Sequence, residues 1–244
     1  MDDRPLLDQQ MAYYRARAEE YDEWFRREGR FDRGPEHRAE WFREVEEIET
    51  ALRSAVRGAE VLELACGTGL WTRHLAENNS RILAVDASPE VIAINRERVG
   101  SANVEYQIAD IFSWAPAATF DVVFFSFWLS HVPALRFDSF WATVRAALKP
   151  GGQAFFIDSL FEPTSSALDH GPVDRSGVVR RKLKDGREFD VIKVFYEPAE
   201  LELRLVQLGW RGWVRATARF FLYGSVSPIE RAMPYTKSDQ YYRP

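Results

Sequence analysis

The run Val61-Leu62-Glu63-Leu64-Ala65-Cys66-Gly67-Thr68-Gly69 constrains this chain more than any other segment. An apolar strand leads straight into a glycine-bearing turn, and a helix is expected to open near Leu70. A strand that feeds a helix in this way belongs to an open α/β sheet. The turn then lies at the strand's carboxyl end, where ligands collect. Gly67 and Gly69 permit positive φ and let a ligand approach the backbone, because no Cβ stands in the way. A dinucleotide fingerprint would read G-x-G-x-x-G, but Thr72 holds the third glycine position and Glu63 stands just before the turn. A carboxylate there repels a pyrophosphate and attracts an ammonium. The spacing therefore predicts a nucleoside ligand with a cationic tail and no phosphate. It counts against the main rival class, a nicotinamide-dependent oxidoreductase.

Two more acids follow at expected strand ends. Arg81–Asp86 is an apolar strand closed by Asp86, which is placed to accept from ribose hydroxyls. The next helix is signalled by Ser88 as N-cap, Pro89 in the first turn and Glu90 against the dipole. Asp110 closes the third strand. An acid there can accept from an adenine amino group while Ile111 or Phe112 covers the ring. Cys66 reads as a packed small residue, because no base stands near enough in sequence to activate a thiol.

In order between Val61 and Phe156, the segments ELACGTG, AVDASPEVI, ADIF, FDVVFFSFWLSHVP and LKPGG resemble the class I S-adenosylmethionine-dependent methyltransferases. The resemblance implies an α/β, Rossmann-like, seven-stranded, mostly parallel sheet with helices on both faces, and S-adenosyl-L-methionine as cofactor. It puts Glu63, Ala65, Gly67 and Gly69 on the methionine moiety, Asp86 and Ala87 on the ribose, and Asp110, Ile111 and Phe112 on the adenine. Ser126, at the end of the fourth strand, joins the cofactor side. That strand runs into Phe127-Trp128-Leu129 and carries no (D/N/S)-P-P-Y motif, which disfavours methylation of adenine, cytosine or glutamine nitrogen. The runs YYRARAEEYD, FWLSHVP, RRKLKDGREF and VIKVF resemble a smaller branch that contains a phosphonate O-methyltransferase of antibiotic biosynthesis. A long insertion between Glu28 and Glu60 departs from that branch.

At 244 residues the chain can bury a full core, and 46% hydrophobic with 28% charged residues is a globular balance. A net charge of −5 disfavours nonspecific nucleic-acid binding. No apolar run approaches a membrane span, and the start carries no secretion signal. One cysteine excludes an internal disulfide and fits a cytoplasmic protein.

The expected organisation is a helical N-terminal cap over 1–58, a core over 59–226 with a hairpin insertion at 178–196, and a tail over 227–244. In the cap, Tyr13, Tyr14, Ala18, Tyr21, Trp24 and Phe25 give one helix an aromatic face. A second helix runs from Glu36 to Arg57. Core strands are expected near 60–64, 81–86, 103–107, 121–126 and 153–158, with Lys149-Pro150-Gly151-Gly152 as the turn into the fifth. Val178–Lys184 and Glu188–Tyr196 form a hairpin about an Asp-Gly turn. Glu197–Leu208 is a helix, and Trp213–Ala218 with Phe220–Val226 complete the sheet. Tyr235, Tyr241 and Tyr242 in the tail are candidate contacts of a homodimer.

Methyl transfer is an in-line displacement that demands aromatic, water-excluding walls around a sulfonium. Tyr14, Tyr21, Phe127 and Trp128 are the candidates, and Tyr21 leads because family members bring an N-terminal Tyr-Asp pair over the cofactor. His131 is a candidate base or orienting group, against the plainer reading that it caps a helix beginning at Pro133. His37, His74 and His170 are scattered, and no metal set emerges. Lys193 interrupts the apolar alternation Phe189, Val191, Phe195, so its ammonium needs either a carboxylate across the hairpin or a bound anion. With Arg180 and Arg181 it forms a candidate cationic mouth. The reading is methylation of an oxygen on a small anionic metabolite. Nitrogen methylation of an amine or heteroaromatic, and a non-catalytic cofactor-binding domain, stay open.

Overall fold

Along β1 (Glu60–Leu64), Val61 turns to one face of the sheet and Leu62 and Leu64 to the other. β4 (Phe120–Ser126) sets Val122 and Phe124 against Val123 and Phe125, and β5 (Leu148–Ser159) sets Phe155 and Ile157 against Ala154 and Phe156. Strands buried on both faces call for a parallel sheet with helices on either side. The computed structural model, which describes residues 3–78, 81–171 and 176–229, has that arrangement. Among those residues β1, β4 and β5 join β2 (Arg81–Asp86), β3 (Val104–Ile108), β8 (Trp210–Ala216) and β9 (Phe221–Pro228) in a seven-stranded sheet, ordered β3-β2-β1-β4-β5-β9-β8. β1 to β5 pair in parallel, and β9 runs antiparallel to β5 and β8. The expected Rossmann-like sheet is therefore present. Its strand order reverses between β1 and β4, which opens a crevice at their carboxyl ends.

One face packs on α3 (Pro35–Val56), α4 (Thr72–Asn78) and α5 (Pro89–Val99) through Trp41, Ile48, Leu75 and Ile92. The other packs on α6 (Phe137–Ala146) and α7 (Pro198–Gln207) through Phe140, Trp141, Leu201 and Leu205. Among the described residues no helix is long and apolar enough to cross a membrane.

The aromatic N-terminal segment is not one helix. α1 (Arg4–Ala16) stops at Arg17, a 3-10 turn spans Ala18–Glu20, and α2 (Tyr21–Arg26) ends at Arg27 in the left-handed conformation. Nothing in Ala16-Arg17-Ala18-Glu19-Glu20 breaks a helix by propensity, so tertiary bonds set the bend. Asp22 accepts from the Thr68 hydroxyl at 2.6 Å and from the Arg98 guanidinium, which pins α2 to the glycine turn. The buried Arg27 side chain donates to the carbonyls of Thr164 and Ser165 at 2.6 and 3.1 Å.

β6 (Val178–Lys182) and β7 (Glu188–Ile192) form the expected hairpin, but shorter. β7 ends at Ile192, and just past it the Lys193 N–H bonds the Gly177 carbonyl at 3.0 Å while the Val194 N–H bonds the Ser130 carbonyl at 2.8 Å. α1 covers this hairpin, where Gln10 accepts from the Ile192 N–H and donates to the His131 carbonyl, both at 3.1 Å. β5 starts five residues before the expected 153, because Lys149 to Gly152 enter it as a bulge opposite Phe120 and Val122. β8 starts at Trp210, three residues before the expected 213. It closes at Ala216 because the Thr217 N–H bonds the Phe221 carbonyl at 2.8 Å. β9 runs on to Pro228, past the expected start of the tail, and Tyr235, Tyr241 and Tyr242 lie outside the described residues.

Gly69 holds φ at +87°, and a Cβ there would meet Asn95 Oδ1 at 2.6 Å and its backbone Cα at 3.2 Å. Gly69→Ala should therefore destabilise the fold by about 2 kcal/mol or more, read as a shifted midpoint in urea denaturation.

Candidate active site

The carboxyl ends of β1 to β4 open onto a cavity of about 940 Å³ roofed by α1. The β1 turn contributes Ala65 and Gly67, at φ +53° and +54°. No atom lies within 4 Å of where a Gly67 Cβ would stand, so the missing side chain leaves room for a ligand. Asp86 and Ala87 line the cavity from β2, and Asp110, Ile111 and Phe112 from the residues after β3. Ser126, Phe127, Trp128 and His131 enter from β4 and the 3-10 turn that follows, and Tyr14 and Tyr21 from the cap. The Phe112 and Trp128 rings lie 5.5 Å apart at a 36° tilt.

Asp86 bridges the first two strand ends, accepting from Gly67 N–H at 3.0 Å and Ser88 N–H at 2.9 Å. Burial raises its pKa, and those backbone donors pull against the rise. The Gly67 N–H is thus already committed to a carboxylate, which leaves no anion cradle for a pyrophosphate. Hydroxyl and amino donors suit the site instead. Asp110 Oδ1 accepts from the Phe112 N–H at 3.0 Å.

Two residues of the glycine motif stay out of this cavity. Gly69 is spent on packing against Asn95. Glu63 is fully buried under the turn, where Thr72 donates to it and Oε2 has no partner. Asn95 in turn donates to the Thr72 hydroxyl at 2.8 Å. Thr72, the residue that spoils the dinucleotide fingerprint, is the side chain that holds Glu63. The thiol of Cys66 is buried and its pKa is pushed well up by that burial, so it is no ready nucleophile.

A second cavity of about 600 Å³ adjoins the first, and Tyr14, Tyr21, Phe127 and His131 line both. Lys193 reaches it buried, donating to Ser130 Oγ at 2.8 Å and lying 3.4 Å from Asp158 Oδ1. Its partner therefore comes from the end of β5 and not from across the hairpin. Burial lowers the Lys193 pKa against the opposing pull of Asp158. Arg181 also lines this cavity. Arg180 does not. Strand alternation turns it outward, where its Nε pairs with Asp190 at 2.9 Å, so it leaves the proposed mouth.

Arg17 is the cation the sequence reading missed. It is buried, lines the second cavity, and lies over the rings of Tyr13, Tyr21 and Phe31 at 5.5, 4.9 and 5.8 Å. His131 is buried in the 3-10 turn Leu129–His131. The helix expected at Pro133 opens as a 3-10 turn over Ala134–Arg136, with Pro133 and not His131 at its N-cap, that runs into α6 at Phe137. The Nδ1 of His131 lies 2.5 Å from the Ile192 carbonyl and its Nε2 2.8 Å from the Tyr14 hydroxyl. That geometry fits one neutral tautomer: Nδ1–H donates to the carbonyl and Nε2 accepts from the phenol. Burial, aided by the Lys193 charge, holds its pKa well below the usual imidazole range.

Fold and site together define a Rossmann-like domain that takes a nucleoside without phosphate. Residues 61–152 match the family model described as a methyltransferase domain. The ubiquinone biosynthesis O-methyltransferase of Xylella fastidiosa (strain M23) is 32% identical over 200 residues, covering 72% of this chain and 77% of that protein. The solved structure of a DhpI-SAH complex is 41% identical, covers 93% of this chain and 98% of its own, and superposes with a TM-score of 0.76. A DhpI-SAM-HEP complex gives 41%, 91%, 98% and 0.73. The glycopeptide N-methyltransferase MtfA, at 19% identity and a TM-score of 0.55, shares the fold. The chain belongs to the class I S-adenosylmethionine-dependent methyltransferases. Its cofactor is S-adenosylmethionine, and the acids, the left-handed turn and the open space at Gly67 suit that molecule.

Burial lifts the Glu63 carboxyl from 4.5 to about 8. An acid whose folded pKa is raised contributes full stability below its unfolded value and loses it as pH rises through the folded one. Thermal stability should accordingly decline between about pH 4.5 and 8. Glu63→Gln should flatten part of that slope in melts recorded across the range.

Proposed function

We propose that this methyltransferase alkylates an oxygen of a small anionic metabolite. The observation that carries the reading is the second cavity, where Arg17, Arg181 and Lys193 converge on the far side of a wall shared with the cofactor cavity. Among the described residues Glu162 is the carboxylate that lines it, tied to Arg219 at 3.1 Å. Asp158 lies behind Lys193 and offsets its charge, so Arg17 and Arg181 carry the positive surplus. The cavity therefore favours an anion by charge. The relatives add support: the Xylella protein is named an O-methyltransferase, and DhpI was solved with SAM and HEP.

S-adenosylmethionine, when bound, supplies an electrophilic methyl on a sulfonium. Asp86 and Asp110 accept from its ribose and adenine, Ile111 and Phe112 cover the base, and Ala65, Gly67 and Ser126 border the methionine side. Tyr14, Tyr21, Phe127 and Trp128 exclude water. Arg17, Arg181 and Lys193 would hold the acceptor beside Tyr14, Tyr21, Phe127 and His131, the residues both cavities share, so that one of its oxygens could meet the methyl. An ionised oxygen already carries the lone pair for the new O–C bond, and the S–C bond would break with its pair left on sulfur, so no proton has to be removed. His131 then acts by holding Tyr14 in place.

Assays with radiolabelled methyl donor across phosphonates, phosphates, carboxylates, phenols and amines test this directly. Anionic acceptors should be methylated on oxygen, and a preference for a neutral or cationic amine would replace the reading with N-methylation. Lys193→Met should raise the acceptor KM about tenfold or more with cofactor affinity unchanged. His131→Ala should cost far less with an anionic acceptor than with a phenol.

A further inference from the structure

Arg180 and Arg181 are neighbours on β6, yet they are held in opposite ways. Arg180 faces solvent and is neutralised by the Asp190 carboxylate through two bonds, at 2.9 and 3.1 Å. Arg181 faces the second cavity and donates from Nη1 to His170 Nδ1 at 3.0 Å, with Ser166 Oγ at 3.3 Å. Among the described residues no carboxylate lies within ion-pair range of it.

His170 is itself fixed. The guanidinium can only donate, so Nδ1 carries the lone pair and Nε2 the proton. Nε2–H donates to the Lys182 carbonyl at 3.2 Å, the shorter of its contacts, with the Lys182 N–H at 3.5 Å. The ring stands edge-on to Phe31 at 6.3 Å. The adjacent Asp169 is drawn off by Arg30 at 3.5 Å. Burial and the Arg181 charge press the His170 pKa down to about 4, so the ring stays a neutral acceptor near neutral pH.

We propose that His170 is a positioning residue that aims Arg181 into the second cavity without neutralising it. A carboxylate in the same place would orient the guanidinium equally well but would cancel the charge that an anionic acceptor needs. The proposal rests on the anionic-acceptor reading, and it gives a task to a histidine that lines the second cavity beside Arg181.

Asn and Asp are isosteric, and both put an acceptor oxygen near the Nδ1 position, so His170→Asn and His170→Asp differ in charge and in one amide donor, a difference the Arg181→Gln background controls for. The probe is inorganic phosphate, titrated by calorimetry into protein saturated with S-adenosylhomocysteine. His170→Asn should stay within about threefold of the wild-type affinity. His170→Asp should weaken phosphate by about thirtyfold, the scale of one added charge at close range in a partly buried site. S-adenosylhomocysteine affinity should be unchanged in both, because Arg181 lines the second cavity and not the first. In an Arg181→Gln background most of the Asn–Asp difference should vanish. Equal phosphate affinity in the two variants, or a difference undiminished without Arg181, overturns the positioning role and leaves the acceptor reading intact. Wild-type protein that binds no phosphate overturns the acceptor reading and this proposal with it. Should His170→Asp lose S-adenosylhomocysteine binding, His170→Ala decides: phosphate about fivefold weaker than in His170→Asn supports the role, and equality overturns it.

Discussion

Asp86 accepts hydrogen bonds from the backbone N–H groups of Gly67, at 3.0 Å, and Ser88, at 2.9 Å, and the cofactor side of the molecule depends on that bridge. It ties the tips of two parallel strands together and holds the β1 turn in a left-handed path that Ala65, a residue with a Cβ, would not choose alone. It also decides what can bind. An N–H group that would otherwise cradle a phosphate is occupied, and a negative charge stands at the mouth. Ligands rich in hydroxyl and amino donors are favoured, and pyrophosphates are turned away. Glu63 beneath the turn does not add to that charge near neutral pH, because burial keeps its carboxyl largely protonated.

The second cavity handles charge in the opposite sense. Burying an arginine without a carboxylate costs several kcal/mol. Each cation–π contact returns only about 0.5–2 kcal/mol, and the rings around Arg17 act with the more distant Glu20 charge to keep its guanidinium charged against burial. A carboxylate would have been the more stabilising neighbour. What the rings and the His170 imidazole preserve is net positive charge directed at a cavity, a trade of stability for binding of the kind expected at a functional site.

The parallel sheet and the three acids were legible because they follow from local pattern: buried strand, glycine turn, acid at the strand end. Lys193 was legible because it interrupts an apolar alternation. Arg17 was not, since its segment reads as one continuous helix with an aromatic face, and nothing in the pattern turns an arginine at that position inward. Arg180 and Arg181 are identical in type, and only the register of β6 against β7, with Arg180 opposite Asp190, sorts the outer from the inner. His170 lies in a loop without period. The partner of Lys193 comes from Asp158, thirty-five residues away, a contact no spacing encodes. Glu63 was legible as an acid before the turn. Its depth was not, because its place in a strand buried on both faces sinks it below the rim.

The bend at Arg17 links the two cavities. A helix continued straight through Ala18 would carry Tyr21 and Asp22 away from the β1 turn. With the bend, Asp22 reaches Thr68 and Arg98, Tyr21 lines both cavities, and Arg17 is folded against three rings at the second one. Upstream of it, α1 keeps Tyr14 against His131 and Gln10 against the end of the hairpin that carries Arg181. The same short segment therefore seals the cofactor cavity, supplies a cation to the neighbouring one and forms part of the wall between them. Its geometry is set by polar bonds to both sides and not by helix propensity, which is why sequence pattern alone reads it as an ordinary helix.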